Sequence, residues 1–324
     1  MIGVYIPGFT ATQFIGTIKR AEDRGVPSFW LTTGGGLPDV PTVYAAAAMV
    51  TERIKLGTAI TQTWPRHPVA LASQCIALDQ IAPGRFRIGL GPSHQRPVEE
   101  MYGVAYTKPL LNLREYLTTL QALLKQGEVD FSGTFVTTRA RLGGGLTNAP
   151  SPAPVNVPVM ASALRPASFR LCGELADGAI SWVCPWDYLR DVALPAIREG
   201  AAAAGRPTPP LVAHTTICLS EDHNAVREAA RPQVGRYGAL PNYLGMFRWA
   251  GYDDPAGADQ DRVIDALVVS GSDRAIVERL AQIIGEGAGE IIAHPIFLTE
   301  DRNTELDRVF DLVARANQEA GVPV

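Results

Sequence analysis

The sequence predicts a (β/α)8 barrel, and three observations carry that prediction. Eight short runs of β-branched and aromatic residues occur along the chain, most of them are followed by a segment with helical periodicity, and their spacing is nearly uniform. Strands that alternate with helices indicate a parallel sheet. A doubly wound open sheet is the alternative, but eight strand–helix units in 324 residues favour closure into a barrel.

The candidate strands and the helices between them have recognisable ends. In chain order the strands are IGVYI, SFWLT, IKLGTAI, RFRIGL, VPVMASA, GAISWV, LVAHTTICL and EIIAHPIF. Thr10 or Thr12 is suited to cap the first helix, and Gly25 is suited to end it. The helix after the third strand begins with Pro68, a residue favoured in a first turn, and ends before Pro83.

Two segments interrupt the regular spacing. Between the fourth and fifth strands, the residues from about 96 to 157 include an amphipathic stretch from about Pro109 to Gln126 and a glycine run, Gly143 to Gly145. Residues 235–260, after the seventh strand, are also predicted to be irregular, and their aromatic side chains favour packing over a substrate wall. We therefore predict a single domain over residues 1–324, with an insertion at about 96–157 on the face where such barrels place active sites.

Composition excludes several classes of function. The formal net charge is −4 and the isoelectric point is about 5.8, so the chain has no broad basic field for nucleic acid or acidic membranes. The N-terminus lacks a basic region followed by an apolar stretch, and no apolar run reaches the roughly 18 residues of a membrane helix. These features predict a cytoplasmic protein and exclude nucleic acid and membranes as partners, which leaves a small-molecule substrate and a homodimer open.

The four cysteines predict neither a metal site nor a disulfide framework. Cys75, Cys172, Cys184 and Cys218 are widely spaced, and no two of them form a CxxC pair. We expect four reduced thiols, most of them buried, and no bound metal.

The stretch GRFRIGLGPSHQ, residues 84–95, distinguishes two interpretations of the chain. A dinucleotide-binding loop needs a third glycine where His94 stands, and an acidic residue about 20 positions further on in a βαβ unit. In a barrel, Gly89 and Gly91 lie at the end of the fourth strand, where missing side chains leave room for a flat ligand. Ser93 and His94 would then face that ligand.

Longer motifs are similar to a known family. The run RIKLGTAITQTWPRHPVALASQCIALDQIAPGRFRIGLGPSHQ with the following MYG, and the segments VPVMASALRPASFRLCGELADGAISWV and SGSDRAIVERLAQIIGEGAGEII, resemble the bacterial luciferase-like superfamily. Within it the resemblance is to the deazaflavin-dependent oxidoreductases that use coenzyme F420. The resemblance implies a (β/α)8 barrel with a long insertion after the fourth strand, a deazaflavin or flavin at the carboxyl-terminal mouth, and hydride transfer as the chemistry.

The resemblance also implies which residues contact the cofactor ring. The segment LGTAIT corresponds to a bulge beneath the ring, where the family often has a cis peptide, and Ala59–Ile60 would be that bond. Gln62 stands where the family has a polar contact to the ring. Thr33, at the end of the second strand, is expected to contact the same cofactor.

A further motif concerns the cofactor phosphate. MASALRPASF resembles the turn after the fifth strand whose backbone N–H groups hold that phosphate at a helix N-terminus. The resemblance assigns this contact to Ser162, Ala163 and Leu164, with Arg165 adding a positive charge. Without the resemblance, a plain strand-to-helix turn would be the simpler interpretation.

One departure from the family bears on the direction of the reaction. Members that oxidise alcohols or sugar phosphates carry an Asp-His pair in the motif WxSDHF, whereas FWLTTGGGLPD has Thr33 and Gly34 at those positions. The usual base for removing an alcohol proton is therefore absent. We expect reduction of an activated C=C or C=N bond, with His94 orienting or protonating the acceptor. His214 lies inside the seventh predicted strand and His294 near the end of the eighth, where either can line the barrel, and neither is assigned a catalytic role.

Two alternatives stay open from the sequence. The same barrel hosts FMN-dependent monooxygenases, which need a flavin that reacts with oxygen, whereas a deazaflavin carries hydride. The missing Asp-His pair also allows a protein that binds a flavin-like ligand without turnover. Sequence similarity does not select the substrate, because unrelated reactions share this barrel.

Overall fold

The computed structural model describes residues 1–8, 10–143 and 150–321. Gly144 and Gly145, part of the predicted glycine run, lie outside the described residues. The described strands are β1 (Ile2–Tyr5), β2 (Ser28–Leu31), β3 (Lys55–Thr58), β4 (Thr61–Gln62), β5 (Phe86–Gly91), β6 (Glu128–Ser132), β7 (Thr137–Arg141), β8 (Val159–Ser162), β9 (Ala179–Ile180), β10 (Leu211–Cys218), β11 (Val268–Ser270) and β12 (Glu290–Pro295).

The described helices alternate with these strands, and a π-helical turn, Leu189–Ala193, joins α7 to α8. They are α1 (Ala11–Asp23), α2 (Val40–Ala48), α3 (Pro68–Ile81), α4 (Gln95–Tyr102), α5 (Pro109–Gln126), α6 (Pro166–Leu175), α7 (Trp186–Tyr188), α8 (Leu194–Ala203), α9 (His223–Gly238), α10 (Pro241–Trp249), α11 (Gln260–Leu267), α12 (Asp273–Gly285) and α13 (Arg302–Glu319).

Eight of the described strands form a closed parallel barrel. Around the ring they follow the order β1, β2, β3, β5, β8, β9, β10 and β12, and the pairing of β12 with β1 closes it. Each predicted strand overlaps one of these eight, which confirms the predicted fold class. β4 pairs with β5 beyond the end of β3, and β11 pairs with the carboxyl-terminal half of β10.

The predicted ends of two ring helices are confirmed. Thr10 caps α1, with its side chain accepting a hydrogen bond from the Gln13 backbone, and Gly25 follows the last turn with a φ of 80°. Pro68 is the first residue of α3, and the His67 ring accepts a hydrogen bond from a backbone N–H of that helix at 3.2 Å. His67 therefore has the structural role of a helix cap.

The excursion between β5 and β8 is smaller than the predicted interval of 96–157. Pro109–Gln126 forms α5, which packs on α3, α6 and β5 and so completes the ring of outer helices. Its amphipathic pattern therefore reflects burial of one face against the barrel, as in the other ring helices. α4 and the antiparallel hairpin of β6 and β7 are the described parts that leave the barrel.

The segment 235–260 is helical at 235–238 and 241–249, contrary to the irregular structure expected from its sequence, whereas residues 250–259 are irregular as expected. α9 contains Pro232 in its interior and ends at Gly238, and α10 begins at Pro241. Glycine and proline are typical of helix ends as well as of loops. The cluster of these residues here marks the junction between two helices.

A buried carboxylate occupies the amino-terminal end of the barrel interior. Glu290 is 4% exposed and accepts hydrogen bonds from Ser28 Oγ at 2.7 Å and Trp30 Nε1 at 2.9 Å. Arg87 donates to both carboxylate oxygens, and its guanidinium lies 4.3 Å from the centroid of the Trp30 ring. The carboxylate is tolerated in this interior because each of its oxygens has a charged or polar donor.

The structure also bears on membrane helices, metal sites and the cysteines. None of the described helices is both long enough and apolar enough to cross a bilayer. Within the described ranges, no group of three or more His, Cys, Asp or Glu side chains is placed to hold a metal ion. The four cysteines are free and buried, as predicted.

Replacing Arg87 with Met should destabilise the protein strongly. The substitution leaves the Glu290 charge buried without its cationic partner, which costs about 3–5 kcal/mol of unfolding free energy. Adding Glu290→Gln to this variant should recover much of the loss, because an amide carries no charge. Urea denaturation measures the free energy of unfolding of the unmodified protein, of Arg87→Met and of the double variant.

The matched control is Arg274→Ala, which removes an exposed ion pair between Arg274 and Glu278. It should change the unfolding free energy by less than about 0.5 kcal/mol. Equal losses for Arg87→Met and Arg274→Ala would contradict the structural role given to the buried pair.

Candidate active site

The carboxyl ends of the barrel strands form a mouth whose floor is set by alternating side chains. Glu290, Ile292 and His294 of β12 all point into the barrel, at its bottom, middle and top, because successive residues of a strand face opposite sides. An apolar cluster closes the middle of the interior. It comprises Trp30, Ala59, Met160, Ile180, Val212 and Ile292, and Tyr5, Ile60 and Trp182 pack against it. A ligand at the mouth would therefore rest on this layer.

The cis peptide implied by the family resemblance is present between Ala59 and Ile60, which confirms that expectation. Three hydrogen bonds hold it against the end of β2. The Ala59 N–H donates to Leu31 O at 2.7 Å, and Thr32 Oγ1 donates to Ala59 O at 2.6 Å. The Thr33 N–H donates to Ile60 O at 2.9 Å. Thr33 is thereby fixed beside the cis peptide.

Gln62 presents a buried amide with only one satisfied end. The residue is 7% exposed, its Nε2 donates to Ser93 Oγ at 2.9 Å, and its Oε1 has no partner. Whichever way the amide is turned, one end stays unpaired. An unpaired buried polar group costs about 1–3 kcal/mol unless a ligand supplies the missing hydrogen bond. The amide therefore indicates a ligand with a hydrogen-bonding edge.

Two glycines allow neighbouring side chains to approach closely around this amide. A Cβ at Gly34, which has a φ of 134°, would lie 2.5 Å from Gln62 Nε2. A Cβ at Gly91 would lie 2.5 Å from Ser162 Oγ and 2.9 Å from Ile60 Cγ1. All three distances are shorter than those of real Cβ atoms, so the volume beside these glycines is already filled by Gln62, Ser162 and Ile60, contrary to the room for a flat ligand expected at Gly91.

Ser93 and His94 follow the end of β5, as predicted. Ser93 has a positive φ of 59°, and its carbonyl accepts a hydrogen bond from the Tyr106 hydroxyl at 3.0 Å. His94 stands at the N-cap of α4 but makes no capping hydrogen bond, so its imidazole is not used to hold the loop. The ring centroid lies 5.9 Å from that of Tyr243, and burial lowers the pKa of His94 below its usual range.

The turn after β8 differs in detail from the expected phosphate cradle. The Ala163 N–H donates to Ile180 O at 2.9 Å within the barrel ladder. The N–H groups of Leu164 and Arg165 donate to Ser168 Oγ at 3.0 and 3.1 Å. These three donors are thus occupied rather than free, and a phosphate could take up the last two only in exchange for Ser168. The Arg165 guanidinium forms no ion pair within the described ranges.

The sequence placed His214 and His294 where either can line the barrel, but sequence reasoning missed their pairing and their contacts with aromatic rings on the floor of the mouth. His214 Nε2 lies 3.1 Å from His294 Nδ1, and the Trp182 ring centroid lies 3.9 Å from that of His214. Tyr5 meets the rings of Trp182 and His294 edge to face at 5.0 and 4.9 Å. The period-two spacing of His294 from Glu290 on β12 was a signal that this side chain points inward.

Aromatic side chains of α9 and α10 connect the two sides of the mouth. The Trp182 Nε1 donates to the Tyr237 hydroxyl at 3.0 Å, the rings of Tyr237 and Tyr243 are 4.7 Å apart, and Tyr243 continues to His94. Tyr243 is buried by this packing, whereas Trp249 at the end of α10 is 63% exposed. Tyr237 and Tyr243 thus form a wall beside the predicted cofactor residues.

A cavity of about 750 Å³ lies to one side of the mouth, between α7, α9, α11 and α12. His214 borders it, but none of the site residues predicted from the sequence does. The orphaned amide and the glycines that surround it lie at the mouth. We therefore assign the candidate active site to the mouth rather than to this side cavity.

Comparison with known proteins gives an independent line of evidence. A family profile described as luciferase-like monooxygenase matches residues 3–289. The 5,10-methylenetetrahydromethanopterin reductase of Methanopyrus kandleri is 26% identical, and the match covers 93% of this chain and 94% of that protein. The protein of the same name from Archaeoglobus fulgidus is also 26% identical, over 89% of this chain and 91% of its own.

Solved structures share the fold across almost the whole chain. The coenzyme F420-dependent tetrahydromethanopterin reductase from Methanopyrus kandleri has a TM-score of 0.77 at 24% identity and covers 97% of both chains. An F420-dependent secondary alcohol dehydrogenase, in complex with an F420–acetone adduct, has a TM-score of 0.79 at 19% identity over 98% of both chains. The oxygenating constituent of 3,6-diketocamphane monooxygenase from Pseudomonas putida, in complex with FMN, has a TM-score of 0.74 at 19% identity over 100% of this chain and 99% of its own.

Proposed function

Since the chain belongs to the luciferase-like monooxygenase family, we propose that it is a coenzyme F420-dependent oxidoreductase that reduces an activated C=C or C=N bond of a small organic substrate. The observation that carries the proposal is the buried Gln62 amide, one end of which is unpaired beside the cis peptide. A flat heterocycle with a hydrogen-bonding edge would supply the missing partner. The similarity to methylenetetrahydromethanopterin reductases favours a deazaflavin over FMN.

The residues present fit such a cofactor. Gln62 would pair with the edge of the ring through the unpaired end of its amide, beside the Ala59–Ile60 cis peptide. Arg165 and Arg236 form no ion pairs within the described ranges, so both are available to a phosphate or carboxylate of the cofactor. When bound, coenzyme F420 supplies a hydride, and the protein provides its position and the proton.

The site favours reduction over alcohol oxidation. The Thr33 hydroxyl lies 3.4 Å from Thr61 Oγ1, and Gly34 has no side chain, so neither position offers a base for an alcohol proton. Reduction instead needs a group that delivers a proton to the acceptor. His94 has the appropriate chemistry, because its lowered pKa makes the protonated ring a stronger acid.

Coenzyme F420 should bind at least about 10-fold more tightly than FMN, a difference of about 1.4 kcal/mol. Quenching of cofactor fluorescence during titration measures both affinities. Gln62→Leu should weaken F420 binding about 10-fold, because the ring loses one hydrogen-bonding partner in a buried site. Tighter binding of FMN would favour a monooxygenase. Binding of F420 without hydride transfer to any acceptor would indicate a non-catalytic protein.

Arg165→Ala should weaken binding of F420 by about 10- to 100-fold, because a hydrogen bond to a charged group contributes about 1.5–3 kcal/mol. The same variant should bind the phosphate-free deazaflavin riboside as well as the unmodified protein does. Arg170→Ala is the matched control, since Arg170 lies on the same helix but pairs with Glu199. If Arg165→Ala weakened the binding of F420 and of the phosphate-free riboside equally, Arg165 would not contact the phosphate.

His94→Ala should lower turnover about 10²- to 10⁴-fold, the range of general acid catalysis, with a much smaller change in F420 affinity. His223→Ala, at an exposed histidine, is the control. The unmodified protein should show kcat/KM for reduction that increases as pH falls through the lowered pKa of His94, with its inflection below about 6.5. Full turnover by His94→Ala would remove the residue from the chemistry. Efficient alcohol oxidation by the unmodified protein would overturn the proposal that the enzyme works as a reductase.

A further inference from the structure

A chain of hydrogen bonds crosses the top of the barrel interior and ends at the mouth. The Val183 N–H donates to His214 Nδ1 at 3.3 Å, and His214 Nε2 lies 3.1 Å from His294 Nδ1. His214 is 3% exposed, and Val183 has a φ of 51°, a left-handed conformation that β-branched residues rarely adopt. The reduction proposed for the site uses neither histidine.

The direction of every hydrogen bond in this chain follows from its first donor. A backbone N–H only donates, so His214 Nδ1 is an acceptor and carries no proton. The proton of the neutral His214 ring is then on Nε2, from which it is donated to His294 Nδ1. His294 must therefore carry its own proton on Nε2, and no partner for that atom exists among the described residues.

Both rings are neutral at physiological pH. Burial lowers the pKa of His214 well below its usual range, and burial with the nearby charge of Arg236 lowers the pKa of His294 to about 4. A neutral imidazole donates a hydrogen bond but keeps its proton. The chain does not act as a relay either, because the Val183 amide at its start does not release a proton. His294 Nε2–H is thus a fixed donor that stabilises negative charge.

His294, the fixed donor, and His94, the proposed proton donor, belong to opposite sides of the mouth. β12, which carries His294, and β5, which precedes His94, are four strands apart in the ring of eight. A substrate over the floor would therefore have a permanent hydrogen-bond donor on one side and a proton donor on the other. This arrangement suits a reaction in which charge develops at one atom while a different atom receives the proton.

We propose that the substrate is an α,β-unsaturated carbonyl compound whose carbonyl oxygen accepts a hydrogen bond from His294 Nε2–H, a proposal that rests on the function proposed above. An imine nitrogen is activated by receiving a proton, which neutral His294 does not give. An enone needs a donor that stays in place while negative charge develops on its oxygen. Val183 and His214 act as positioning groups, because they fix the tautomer of His294.

The reaction balances with reduced deazaflavin as the reductant. Hydride adds to the β carbon, the electrons of the C=C bond move to form an enolate, and the His294 Nε2–H holds the enolate oxygen. The α carbon then takes a proton from His94, which solvent reprotonates. The substrate gains a hydride and a proton, and the reductant loses the same two species, so that the products are the saturated carbonyl compound and oxidised deazaflavin.

The tautomers are measured first, in the protein without cofactor. Two-bond ¹H–¹⁵N correlation spectra of protein labelled with ¹⁵N-histidine report which nitrogen carries the proton in each of the five histidines. We expect His214 and His294 to be neutral from pH 8 to about 5, with both protons on Nε2. His214→Leu should let the second tautomer of His294 appear. If that variant does not fold, replacing His67, His94 and His223 in turn assigns the pair by elimination.

The donor is tested next with cyclohexenone as the enone and pyrroline as the imine. His294→Leu should lower kcat for cyclohexenone about 10²- to 10³-fold, the usual effect of losing a donor to a developing oxyanion. His294→Gln, which retains an N–H donor, should stay within about 10-fold of the unmodified protein. Neither variant should change the affinity for oxidised F420.

The outcomes separate this inference from the proposed function. A proton on Nδ1 of His294, or a charged His294 at pH 6, overturns the inference whatever the cofactor. Reduction of pyrroline but not of cyclohexenone overturns it and leaves the F420-dependent reductase intact. Failure to bind F420 overturns the proposed function, and the enone assignment with it, whereas the tautomer measurement stands by itself.

Discussion

Every second side chain of a closed barrel points into an interior that water does not enter, and this constraint separates stability from function along the barrel axis. At the bottom, the inward polar groups satisfy one another, since Glu290 receives donors from Ser28, Trp30 and Arg87. At the top, the polar groups that face inward or toward the mouth do not satisfy one another's hydrogen bonds. Gln62 Oε1 and the Nε2 of His294 are the ends of networks that stop where a ligand would begin.

The fold could be predicted from sequence to the extent that it depends on local pattern. The eight strands, the Thr10 cap and the Pro68 helix start all follow from periodicity and backbone preference. The helix α5 was assigned to an insertion because its neighbours in sequence are irregular, and only packing on α3 and α6 identifies it as part of the ring. Glycine and proline near residue 240 marked a break between helices, which composition alone does not distinguish from a loop.

The candidate site could be predicted where a motif fixes the backbone, and not where contacts join distant segments. The cis peptide at Ala59 and the placement of His94 after β5 follow from family motifs. The pairing of His214 with His294 joins two strands separated by 80 positions, and its direction depends on the conformation of Val183. Ser168 Oγ accepts hydrogen bonds from the backbone N–H groups of the turn after β8, and these bonds likewise depend on the side-chain rotamer of Ser168. Neither is encoded in spacing.

The departure from the family at the end of β2 is tied to Gln62 and is more than the loss of a base. A Cβ at Gly34 would lie 2.5 Å from Gln62 Nε2, so a side chain at this position would displace the amide from its present place. The present position of the Gln62 amide therefore depends on glycine at position 34. This arrangement suits the proposed reduction, because an amide holds a ligand edge without competing for the proton that the acceptor must receive. The absent base and the orphaned amide are thus two consequences of one local arrangement.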